Sequence, residues 1–179
     1  MKTKAKQTKT SKTTKTVKKL PEFKPLPFNK AEVLAFANDL YSDVDGRISC
    51  LKLCDGALSN GKDGNRTLHC AVGEAYLQFV NNDMKKVLAD KAGYISVYDE
   101  RDEDGDSLGA MCSDATGAVI DALVDVAQLK KPTLANKKKL AQALNNAVSL
   151  NDDLGSEEYL ERSQSVAEVF RKQVAPLLK

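Results

Sequence analysis

The stretch from Leu68 to Val80 constrains this chain most. Leu68, Ala71, Val72, Ala75, Tyr76, Phe79 and Val80 occupy successive apolar positions of an amphipathic helical template. Cys70, Gly73 and Leu77 form a second apolar line beside them. A helix apolar on two sides belongs at the centre of a fold, so a helix over 66–90 is predicted, with others packed around it. Gly73 gives up roughly 1 kcal/mol of helix propensity relative to Ala. Its presence there points to the close approach of another helix.

Further helices follow from the same period. Asn29 is a good N-cap with Glu32 three positions on, as in a capping box. Val33, Phe36, Ala37, Leu40, Tyr41 and Val44 then predict a helix over 30–43, broken by Asp45-Gly46. A second helix is expected over 47–58, with Ile48, Leu51 and Leu58 on one side and Cys50, Leu53, Cys54 and Ala57 on another. The cluster SNGKDGN at 59–65 reads as a turn, and YISVY at 94–98 as a short strand or extended loop. Helices are expected over 114–130, ended by Lys131-Pro132, over 134–149 with Lys137, Lys138 and Lys139 facing water, and over 157–175, with a turn at 151–156. The expected fold class is all-α, a compact bundle of about six helices over 29–179. About 150 residues bury roughly 68–70% of their unfolded surface, enough for one core.

Residues 1–28 stand apart. Up to Lys19 they are almost entirely Lys, Thr, Ser and Gln, which predicts a disordered tail. LPEFKPLPF at 20–28 then predicts an extended, Pro-containing strap lying on the domain surface. The overall charge of +2 hides a split: residues 1–30 carry a net +9 and residues 31–179 a net −7. Lys2, Lys4, Lys6, Lys9, Lys12, Lys15, Lys18 and Lys19 are candidate contacts to nucleic acid or another polyanion, releasing counterions on binding. Residues 1–19 hold neither Arg nor an aromatic residue, so base reading and stacking are not expected and the binding is sequence-independent. Competing readings are a solubilising extension, a tail folded back on its own acidic body, or an acidic partner or membrane surface. A second function class is a protein-interaction or inhibitor module acting through the acidic body, with Asp99 to Asp106 as its focus.

Site chemistry is sparse. Glu100, Asp102, Asp104, Gly105 and Asp106 follow the order of an EF-hand loop, but Met111 stands where that loop needs a bidentate Glu. These acids are read as a solvated loop that offers a partner or cation surface. Cys50 and Cys54 lie one helical turn apart if 47–58 is helical, and Cys70 and Cys112 would complete a zinc tetrahedron. There is no C-x2-C knuckle, and buried apolar thiols are the preferred reading, with no metal. His69 and Cys70, neighbours on a helix, would point about 100° apart and form no catalytic pair. No Gly-rich phosphate loop, nucleophile elbow or paired-carboxylate signature is present, so no cofactor is expected, and a small enzyme built around Cys70 or a metal is kept as a third function class. No apolar run approaches the ~20 residues of a membrane span. The Lys-rich start is not followed by the apolar core of a secretory signal. The Cys spacing is not a disulfide framework, so a reducing, cytoplasmic setting is expected.

Gly56-Ala57-Leu58, Asp63-Gly64 and His69-Cys70-Ala71-Val72-Gly73-Glu74-Ala75 resemble a W-C-A-x-G-A box. That box occurs in an uncharacterised family of small helical bacterial proteins. Leu150-Asn151-Asp152 resembles the turn that precedes the family's last helix. The resemblance spans roughly 46–175, with His69 in place of Trp and Glu74 in place of a second small residue. It implies a helical fold and no particular activity.

Overall fold

The computed structural model describes residues 23–54, 58–85, 87, 97–98, 114–153 and 159–179. In chain order the elements are α1 (Lys30–Leu40), β1 (Tyr41–Val44), β2 (Arg47–Cys50), β3 (Ser59–Asp63), β4 (Arg66–His69), α2 (Ala71–Phe79), α3 (Asp114–Val126), α4 (Leu134–Asp153) and α5 (Tyr159–Val169). A π turn (Phe170–Val174) and a 3-10 turn (Ala175–Leu177) follow. The protein is therefore mixed α/β, not an all-α bundle of six helices. Two antiparallel hairpins, β1–β2 and β3–β4, replace the helix expected over 47–58 and the turn expected over 59–65.

Turn chemistry is the reason. Asp45 and Gly46 both have positive φ, at 54° and 79°. That is the type I′ turn, whose twist matches two antiparallel strands rather than a helix end. Tyr41–Val44 and Arg47–Cys50 pair across it, with Val44 facing Arg47 and Tyr41 facing Cys50. Val44 and Ile48, expected on apolar helix faces, are 64% and 53% exposed instead. The helix expected over 66–90 starts only at Ala71. Leu68 fits a strand as well as a helix, and as the one buried residue of β4 it serves the strand.

The helical expectations hold elsewhere with shifted ends. Asn29 caps α1, its Oδ1 accepting from Glu32 N–H at 3.0 Å. The fourth expected helix ends at Val126, short of Lys131-Pro132, and the fifth runs on through Asn151 and Asp152, where a turn was expected. The strap is not confined to the surface: Leu26 is 41% exposed but Phe28 is buried. Lys137 is not simply a wet residue: its Nζ donates to the Tyr98 hydroxyl at 3.1 Å and meets Asp125 at 3.3 Å.

Four phenylalanines tie the layers together. Phe36 of α1 meets Phe79 of α2 and Phe170 of the π turn edge-on, at 5.6 and 5.0 Å between centroids. Phe28 lies 5.0 Å from Phe79. Such pairs contribute about 0.5–1.5 kcal/mol each beyond the area they bury. The wider π turn places Arg171 at the end of α1, where it donates to the carbonyls of Ala37 (3.1 Å) and Tyr41 (2.5 Å) and to Asn38 Oδ1 (3.0 Å). It thus adds a second bond to the Ala37 carbonyl, which already accepts from Tyr41 N–H, and meets the carbonyl of the C-cap residue Tyr41.

Gly73 makes the close approach its position suggests, though to a loop rather than a helix. A Cβ there would lie 2.8 Å from the Leu58 carbonyl oxygen and 3.3 Å from His69 Cβ. Gly73→Ala is expected to destabilise the fold by about 1–3 kcal/mol through overpacking, despite a propensity gain of about 1 kcal/mol. Urea unfolding of the two proteins checks the sign.

Candidate functional site

The two hairpins are joined by residues 51–58, of which 51–54 and 58 are described. Leu53 and Cys54 are buried there. Four hydrogen bonds hold the backbone of this link. Leu51 N–H donates to the Leu40 carbonyl (3.0 Å), and Cys54 N–H donates to the His69 carbonyl (3.1 Å). Ser163 Oγ of α5 donates to the Leu51 carbonyl (2.7 Å), and Asn151 Nδ2 of α4 donates to the Cys54 carbonyl (2.6 Å). Ser163 and Asn151 are completely buried. Two helix side chains thus do for an irregular link what a sheet ladder would do for a strand.

Cys70 caps the start of α2 beside this link. Backbone N–H groups of Val72 and Gly73 face its sulfur and favour the thiolate, but burial outweighs them and pushes the thiol up to about 12. Cys54 and Asp152 add to that rise. Cys70 is therefore a protonated thiol at neutral pH, unlike the depressed thiols of reactive sites. Cys54 is buried and Cys50 half-buried. Cys112, the fourth expected ligand of the zinc reading, lies outside the described residues. Among the described residues no group of three or more His, Cys, Asp or Glu side chains is placed to hold a metal.

His69 is the last residue of β4, directly before Cys70. Its Nδ1 is buried and meets no hydrogen-bond partner among the described residues. Burial, then the charge of Arg66, holds its imidazole below the ordinary value, while a bond to the Leu58 backbone works the other way. Arg66 also pairs with Glu74, a largely covered carboxylate whose pKa burial raises.

The remaining expected site residues are not placed. Lys2, Lys4, Lys6, Lys9, Lys12, Lys15, Lys18 and Lys19 lie outside the described residues, as do Glu100, Asp102, Asp104 and Asp106. Sequence reading missed Asn151 and Ser163 as site-shaping residues. Each stands among many other polar residues, so its polarity alone reads equally well as part of a turn or a solvent face. Among the described residues no helix is long and apolar enough to cross a membrane. Comparison with protein families, curated proteins and solved structures finds no match to this chain.

Two outcomes are expected of this region. Asn151→Ala removes the bond to the buried Cys54 carbonyl and is expected to cost about 1–3 kcal/mol in denaturant unfolding. His69 is held neutral in the fold, so below its ordinary value of 6.5 the unfolded chain takes up the proton first. Stability is therefore lost as pH falls from about 6.5 through the lower folded value. Glu74, raised by burial, acts in the opposite sense: its share is lost as pH rises from its ordinary 4.5 through its folded value. His69→Gln is expected to flatten the loss below neutrality, read as urea midpoints across that range.

Proposed function

We propose that the chain is a non-enzymatic binding protein whose Lys-rich N-terminal arm contacts nucleic acid or another polyanion without sequence preference. The observation that carries this reading is the charge split, +9 over residues 1–30 against −7 over the rest. Eight lysines within the first 19 residues, with no Arg and no aromatic among them, supply phosphate contacts but no base reading. The buried, protonated Cys70 thiol supports a binding role over nucleophilic chemistry at that residue.

A second reading is a protein-interaction module acting through the body. Exposed Ile48, Tyr159 and Leu160 favour it, because they line one groove. On this reading a stable protein complex survives neutralisation of the arm.

The test of the arm is a salt titration of DNA and RNA binding. It compares the full chain with a full-length variant whose Lys2, Lys4, Lys6, Lys9, Lys12, Lys15, Lys18 and Lys19 are Gln. If six lysines engage phosphates, the logarithmic salt slope is expected near −5, and the variant is expected to lose both affinity and slope. Absence of binding to either nucleic acid at low salt, or an unchanged slope in the variant, sinks the proposal.

A further inference from the structure

The β1–β2 hairpin has two outer edges, and the fold treats them differently. On the β1 edge, Arg171 already donates to the Tyr41 carbonyl. On the β2 edge the turn decides which groups face out. A two-residue turn closes on Val44 and Arg47, so in the alternating antiparallel pattern Ile48 and Cys50 direct their N–H and C=O groups away from β1. Among the described residues no strand pairs with that edge, nor with the outer edge of β3.

A groove of about 670 Å³ lies along this edge. Ile48, Cys50 and Lys52 line one side, Asp63 of β3 the other, and Tyr159 and Leu160 of α5 complete it. Lys52 and Tyr159 also line a narrower hollow of about 200 Å³ that reaches the buried Arg162. Ile48, Tyr159 and Leu160 are 53%, 39% and 40% exposed, so three large apolar side chains meet solvent around one groove. Strand groups that meet no strand among the described residues, beside a depression bordered by large apolar side chains, are the elements of β-strand addition, where backbone bonds give affinity and alternate side chains give specificity.

We propose that this groove takes an extended peptide of a partner protein, added as a strand along β2, with an apolar side chain against Ile48 and an acidic one toward Lys52. Charge selects the occupant: Lys52 stands where the two hollows join, while Asp63 borders only the wide one. The chain's own arm is rich in Lys and carries the wrong sign to meet Lys52. The proposal is independent of polyanion binding by the arm.

The test is NMR-detected amide exchange on the full chain, with a short peptide of alternating Val and Glu as probe and its Val/Lys counterpart as control. The arm also attracts the acidic probe, so exchange at Ile48 and Cys50, rather than total binding, is the readout. The Val/Glu peptide is expected to slow both amides about tenfold, equivalent to about 1.4 kcal/mol, and the Val/Lys peptide to leave them unchanged. Lys52→Glu is expected to abolish the protection, and so is Ile48→Lys, a change at an exposed site. Three results overturn the proposal: no protection at saturating probe, equal protection by both peptides, or protection that grows with protein concentration alone, which identifies a second copy as the occupant.

Discussion

Two buried hydrogen bonds, from Ser163 to the Leu51 carbonyl and from Asn151 to the Cys54 carbonyl, hold the place where helices and hairpins meet. A link without regular structure carries backbone groups into an apolar interior, where an unmet carbonyl costs about 1–3 kcal/mol. Supplying the donors from α4 and α5 fixes the link. The link then fixes the hairpins that leave it in either direction. Cys54 and Cys70 are covered by the same arrangement, since Cys54 bonds to the His69 backbone and Cys70 to that of Leu58. Burial of this kind makes the thiols part of the packing rather than of a reactive site.

The helical part of the fold was largely legible. Positions such as Val33, Phe36, Ala37 and Leu40 bury one face of α1 as their spacing requires. The hairpins were not, for a physical reason. Asp45-Gly46 ends a helix and turns a hairpin with equal ease, and the strands it joins are only four residues long. Period-two alternation has little room to show over four residues. Leu68, valid in both templates, hid the second hairpin inside the apolar run of α2.

The candidate site was less legible than the fold. The individual thiols, His69 and Gly73 stood out by residue type, and the structure places Cys54, Cys70 and His69 around one link. What no local pattern shows is that Asn151 reaches Cys54 across 97 positions and Ser163 reaches Leu51 across 112. The groove along β2 was hidden for the same reason as the strand that forms it. Read as a helix, 47–58 turns Ile48 into the core; read as a strand edge, it leaves Ile48 in solvent.

The bonds of Arg171 set an order on folding. Ala37 and Arg171 are separated by 134 positions, and Phe36 finds one of its two ring partners only in Phe170. Lys30 N–H likewise donates to the Lys179 carbonyl. Contacts of such long span form late and slow the search for the native state. On a ribosome, then, α1 waits for the segment that bears Phe170 and Arg171, 134 positions beyond Ala37, before its aromatic face is fully covered.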